Sequence, residues 1–150
     1  MQIATFFSAS DALLDVPAPD KTRLLKDLCA RAAVTLKLDP DRIATEILNR
    51  EELGSTGVGG GVAIPHSRFP DLREPFGMLA RLRRSIDFNA IDGQLVDIVF
   101  LLLLPVAESG EQLNALAAVA RKLRNPDTIR DLRRAADSAG LHRAMIADGS

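Results

Sequence analysis

The chain has 150 residues, 19 Lys and Arg against 20 Asp and Glu, 47% hydrophobic and 26% charged residues, the arithmetic of one ordinary globular domain over 1–150 and not of a disordered, collagenous or repetitive chain. A net charge of −1 gathers neither nucleic acid nor an anionic membrane by its bulk field, so a partner must be recognised locally. Six Phe with no Trp or Tyr leave few stacking platforms for bases or sugars, and a lone Cys29 excludes an internal disulfide framework and a cysteine zinc site.

At the N-terminus, Met1-Gln2-Ile3-Ala4 lacks a basic segment followed by an apolar one, so no secretory signal is expected and a cytoplasmic protein is the default. After a stretch holding Phe6 and Phe7, Pro17-Ala18-Pro19-Asp20 reads as a break with Asp20 as helix cap. Leu24, Leu25, Leu28, Cys29, Ala32, Ala33 and Leu36 then recur at helical spacing. Asp39-Pro40 repeats the start signal, and Ile43, Ile47 and Leu48 carry a second helix toward Gly54. Five of the ten glycines fall between Gly54 and Gly61, followed by Val62-Ala63-Ile64 and Pro65, which predicts a loop and then a short strand. Phe76, Met78, Ala80 and Leu82 alternate, with Leu79 out of step, and predict a half-buried strand before the Asp92-Gly93 turn. Val96 to Leu104, interrupted only by Asp97, is apolar on both faces, as a central strand covered on both sides must be. It is seven apolar residues at its longest, where a membrane span needs about 20, so no membrane insertion is expected. Leu113, Leu116, Ala117, Ala120 and Leu123 predict a helix broken at Asn125-Pro126, with shorter pieces around Ile129, Leu132, Leu141, Ala144 and Met145. Helices before and after a block of strands predict an α/β domain, a single mixed β-sheet flanked by helices on both faces.

Chemistry concentrates at one of the two histidines. His66 follows the glycine-rich loop and Pro65, a strand-end position beside accessible backbone N–H groups and suited to an anion. His142, next to Arg143 in a terminal helical piece, reads as a packed or solvated helix residue. The glycines do not spell a nucleotide loop: no Lys occurs between Lys37 and Lys122, and Val62 stands where a dinucleotide fingerprint needs glycine. Asp97 reads as a paired carboxylate, and the Arg81 to Arg84 cluster and the arginines from Arg121 to Arg134 as exposed faces with no interleaved aromatics. A metal centre would need ligands that His66 does not have nearby in sequence.

The stretch from Glu51 to His66, with Gly-Ser-Thr-Gly at 54 to 57 and Ala-Ile-Pro-His at 63 to 66, resembles the phosphorylation-site motif of the fructose and mannitol type IIA domains of the bacterial phosphoenolpyruvate-dependent phosphotransferase system. Gly-Ser-Thr-Gly before Ala-Ile-Pro-His is especially similar to its nitrogen-regulatory branch, Asn49 to Leu53 resembles the segment that branch has just upstream, and Ile91-Asp92-Gly93-Gln94 with Val96-Asp97 resembles the family downstream. The resemblance implies a cytoplasmic histidine phosphocarrier needing no cofactor. It implies His66 as phosphoryl acceptor, Arg50 beside it, and an HPr- or NPr-like carrier, charged through an Enzyme I-type protein, as donor. Partners downstream would be regulated target proteins or, for a sugar-transport member, a IIB component; a binding module without turnover is a further reading. Ser67 stands where the family usually has glycine or another very small residue, and Glu111-Gln112-Leu113-Asn114 lacks the second histidine that many members carry. Read from the residues, a neutral imidazole nitrogen must lie in line with the donor, and a free histidine with pKa near ~6.5 is mostly neutral at cytoplasmic pH. Charge on the phosphoryl can be met by N–H groups of the loop (Gly57, Gly59 and Gly60 among them), by the Ser55 or Thr56 hydroxyl, and by Arg50. Arg50 equally suits the cation that complements the C-terminal end of a helix.

Overall fold

Helices begin here where a short polar side chain takes an orphan backbone N–H. In the computed structural model, which describes residues 2–106 and 115–147, Asp20 accepts from the Arg23 N–H at 2.8 Å and opens α1 (Lys21–Leu36). Asp39 accepts from the Asp41 N–H at 3.0 Å and, with Pro40 in the first turn, opens α2 (Pro40–Glu52). α3 (Ala115–Arg124) ends at Asn125, whose side chain accepts from the Asp127 N–H at 2.9 Å and starts α4 (Pro126–Arg134). The Asn125-Pro126 pair is thus a helix start as well as a break. Asp137 accepts from the Gly140 N–H at 2.7 Å and opens α5 (Ser138–Ile146).

The strands are β1 (Ala12–Val16), β2 (Gly57–Gly59), β3 (Val62–Ala63), β4 (His66–Phe69), β5 (Phe76–Ile86) and β6 (Val96–Pro105). They form one mixed sheet in the order β1-β5-β6-β3-β2, and β4 takes up the pairing with β6 beyond β3. β6 is central, antiparallel to β5 and parallel to β3 and β4. Its Val99, Leu101 and Leu103 point into a core under α1 and α2, while Ile98, Phe100, Leu102 and Leu104 point into a second core under α3 to α5 and the N-terminal turns. The expected α/β architecture, a mixed sheet with helices on both faces, is what the chain forms.

Four local expectations need correction. β1 precedes α1, so helices are not the first elements. Its alternation is broken by a register shift between Leu13 and Val16 and by Asp15 at φ +51°, which hides it from a period-two search. The glycine-rich segment is not all loop, because β2 pairs antiparallel with β3 inside it. His66 does not close a strand but begins its own. Arg81, expected on an exposed face, has a side chain only 14% exposed. Its guanidinium donates to the carbonyls of Leu132, Arg133 and Ala135 at 3.0, 3.2 and 2.8 Å, closing the C-terminal end of α4.

Candidate functional site

The register fixes where His66 sits. β4 lies alongside β6 with His66 opposite Leu102 and Arg68 opposite Leu104, and residues two apart share a face. Phe69 on the other face is buried in the core under α1 and α2. His66 is half-buried, and its Nδ1 lies 2.8 Å from the Ile64 carbonyl oxygen. A carbonyl only accepts, so in the neutral ring Nδ1 carries the proton and Nε2 holds the lone pair. Pro65 is clamped as well, its carbonyl accepting from the Leu102 N–H at 2.9 Å.

The loop before β2 is fastened from below. Glu51, at the end of α2, is buried and accepts from the Thr56 N–H at 3.3 and 3.2 Å and from the Thr56 hydroxyl. Lys21, on α1, pairs with its Oε2 at 2.7 Å. Ser55 Oγ donates to the Phe88 carbonyl at 2.6 Å and accepts from the Gly57 N–H at 3.0 Å. The Gly54 N–H donates to the Glu51 carbonyl, and the Thr56 carbonyl accepts from the Ile64 N–H at 3.0 Å. Among the described residues this leaves the Ser55 N–H as the amide of the stretch from 54 to 57 without an acceptor.

These contacts sort the candidates. Thr56 lies level with Ile64, so the stretch from Gly54 to Thr56 is the end of the loop near His66. Both hydroxyls, expected as donors to a phosphoryl, are directed instead at Glu51 and Phe88. The Gly57 backbone passes so close to Ala90 that a Cβ would lie 2.8 Å from the Ala90 Cβ. Gly59 and Gly60 lie at the far end of the hairpin from Thr56. Gly59 pairs with Val62, which is opposite Ile98, four residues along β6 from Leu102, a separation of about 13 Å at strand rise. The Gly60 N–H is bound to Asp92 at 3.0 Å and its carbonyl to Arg133. Its φ of +67° is a conformation that glycine adopts without penalty. Arg50 is half-buried and donates to the Gly54 carbonyl at 3.0 Å, at the loop end that faces β4.

Elsewhere, Asp97 is a paired carboxylate as expected, bound twice by Arg133 at 2.9 Å. His142 packs against the Phe7 ring, 5.0 Å between centroids. The stretch Glu111 to Asn114, where many members carry a second histidine, lies outside the described residues. No group of His, Cys, Asp and Glu able to hold a metal occurs among the described residues, and no helix there is long and apolar enough to cross a membrane. Glu51 and Lys21 were not singled out from the sequence. The signal was present: Glu51 continues the four-residue spacing of the buried Ile43 and Ile47, a carboxylate on an apolar stripe.

The family model for the phosphoenolpyruvate-dependent sugar phosphotransferase system, EIIA 2, matches residues 5–147. A nitrogen regulatory protein of Bradyrhizobium diazoefficiens is 43% identical over 125 residues, 83% of this chain and 82% of that protein. The crystal structure of nitrogen regulatory protein IIA-Ntr from Neisseria meningitidis superimposes with a TM-score of 0.89 at 29% identity, over 95% of this chain and 98% of that one. The Escherichia coli mannitol IIA enzyme, solved in complex with phosphorylated IIB, shares the fold at a TM-score of 0.74 and 14% identity, over 93% of this chain and 98% of that one. The chain therefore belongs to the EIIA type 2 family of the phosphotransferase system and is similar to its nitrogen regulatory members.

Proposed function

We propose that the protein is a cytoplasmic phosphohistidine carrier, with His66 accepting a phosphoryl group from a small HPr- or NPr-like carrier and the phosphorylation state regulating target proteins. The observation that carries the reading is the 2.8 Å contact between His66 Nδ1 and the Ile64 carbonyl, which leaves the Nε2 lone pair on a half-exposed ring. Nε2 attacks the phosphorus of the donor's phosphohistidine as the donor's N–P bond breaks, and the electron pair of that bond returns to the donor's imidazole nitrogen. The proton stays on Nδ1, donated to the Ile64 carbonyl throughout, so the reaction calls for no separate strong base. With Nδ1 still protonated, the ring becomes positively charged when Nε2 bonds phosphorus, which makes it a good leaving group for onward transfer.

Charge on the transferring oxygens is met by the Ser55 N–H and the Arg50 guanidinium. Ser55 and Thr56 contribute by shaping the loop, and Gly57 by letting it lie against Ala90. Gly59 and Gly60 serve the hairpin turn. Phosphoryl oxygens bring up to about two negative charges to the surface. A change of ~1.4 kcal/mol in a contact there alters partner affinity tenfold, with no large rearrangement. Similarity to nitrogen regulatory proteins favours regulated targets as the partners over a IIB component.

The test is incubation with Enzyme I, a carrier and phosphoenolpyruvate, followed by intact mass. One acid-labile phosphoryl group on the wild type and none on His66→Ala is the expected result. Uptake by His66→Ala, or none by the wild type, overturns the assignment. Rapid onward transfer to an added IIB protein would replace the regulatory role with sugar transport.

A further inference from the structure

The side chain of Glu51 is 4% exposed and that of its partner Lys21 17%. A position on the stripe of Ile43 and Ile47 would accept an aliphatic residue, and taking a carboxylate and an ammonium out of water costs several kcal/mol per ion before their attraction offsets it. The pair is fully engaged. Glu51 takes the Thr56 N–H, the Thr56 hydroxyl and the Lys21 ammonium. Lys21 also donates to the Phe88 carbonyl at 3.2 Å and sits 4.5 Å above the centre of the Phe88 ring. That same carbonyl holds Ser55 Oγ. Two helices and the segment after β5 thereby grip residues 55 and 56.

From Thr56 the bonds continue to the imidazole. The Thr56 carbonyl accepts from the Ile64 N–H at 3.0 Å, and the Ile64 carbonyl accepts from His66 Nδ1 at 2.8 Å. Ile64 is thus held by its N–H and holds the ring by its C=O, so the backbone groups of Thr56 and Ile64 together link the buried ion pair to His66. We infer that Glu51, seated by Lys21, is a positioning residue for His66: through Thr56 and Ile64 it fixes the tautomer that leaves Nε2 free and the direction in which Nε2 points. The inference rests on His66 being the phosphoryl acceptor, and it concerns a residue that touches neither the phosphoryl group nor the ring.

The experiment uses the full chain labelled with ¹⁵N-histidine and compares wild type, Glu51→Gln, Lys21→Met and Thr56→Ser at a temperature where far-UV circular dichroism shows each folded. Two readouts are taken: the ¹⁵N shifts of the two His66 ring nitrogens above the ring's titration, and single-turnover phosphoryl uptake from the phosphorylated carrier. The wild type should show a protonated Nδ1 and an unprotonated Nε2. Glu51→Gln and Lys21→Met should move both shifts toward a tautomer mixture and slow uptake by about tenfold or more, the scale on which groups that orient a reactive imidazole act. Thr56→Ser keeps both donors and should stay within about twofold of wild type. Unchanged shifts and rates in folded Glu51→Gln overturn the inference, since a purely structural ion pair would lower stability and leave both readouts in place. If Glu51→Gln does not fold, Thr56→Val, which removes only the hydroxyl link, is judged by the same two readouts. If the wild type takes up no phosphoryl group, the functional reading fails, while the tautomer comparison still decides the positioning.

Discussion

Replacing Gly57 with Ala tests whether the loop before His66 is held by close backbone approach. The new Cβ would lie 2.8 Å from the Ala90 Cβ and 2.9 Å from its Cα, and 3.2 Å from Ser55 Oγ. Carbons meet comfortably at about 3.5 Å or more, so the hairpin must withdraw from Ala90 by at least ~0.7 Å, and one of the obstructing atoms is backbone. Overpacking of this kind costs about 1–3 kcal/mol. Withdrawal also stretches the Ile91 N–H bond to the Gly57 carbonyl, already 3.4 Å, worth about 1 kcal/mol. A loss of about 2–4 kcal/mol follows, or roughly 4–16 °C in Tm for a chain of this size. Urea and thermal denaturation read it directly. Gly60→Ala is the control, since nothing lies within 4 Å of its added Cβ and only the left-handed backbone is penalised, by about 1 kcal/mol. Adding Ala90→Gly to Gly57→Ala should recover part of the loss, because the Cα obstruction remains. A Gly57→Ala protein as stable as wild type, or less affected than Gly60→Ala, would refute the close-approach argument.

Burial pushes the Cys29 thiol up to about 12, so near pH 8 the native protein holds roughly a thousandfold less thiolate than the unfolded chain and should resist a thiol reagent until urea is added. Backbone N–H groups of Gln94 and then Gly60 hold the Asp92 carboxyl below its ordinary range. A depressed carboxylate stabilises the fold above its unfolded pKa and loses that contribution as pH falls through the folded value. Asp92→Asn should therefore lose less stability than wild type between about pH 5 and pH 3, measured as the change in urea midpoint. Arg81→Met keeps the aliphatic stem but leaves the last carbonyls of α4 without their donor, and should cost about 1–3 kcal/mol in urea denaturation.

Much of the fold is written in period and punctuation. Asp20 and Asp39-Pro40 cap helices as their chemistry requires, and the two-faced run from Val96 to Leu104 is the central strand because both of its faces meet helices. Leu79, out of step with Phe76, Met78 and Ala80, is explained by the same fact: it buries in the second core while they bury in the first. β1 stays hidden because its pairing is interrupted at Asp15, a nonlocal feature. At the site, the motif locates His66, but which atoms each neighbour touches depends on register. Gly57 and Gly59 are two positions apart in sequence, yet the hairpin carries Gly59 away from the histidine. The hydroxyls of Ser55 and Thr56 look available in a sequence and are committed to Phe88 and Glu51 in the fold.

The central claim is that Nε2 of His66 is the atom that carries the phosphoryl group. The ¹⁵N-histidine protein, phosphorylated through Enzyme I and its carrier, should show phosphorus coupling at Nε2 of His66 with the proton retained on Nδ1. Coupling at Nδ1, or at any nitrogen of His142, would contradict the account.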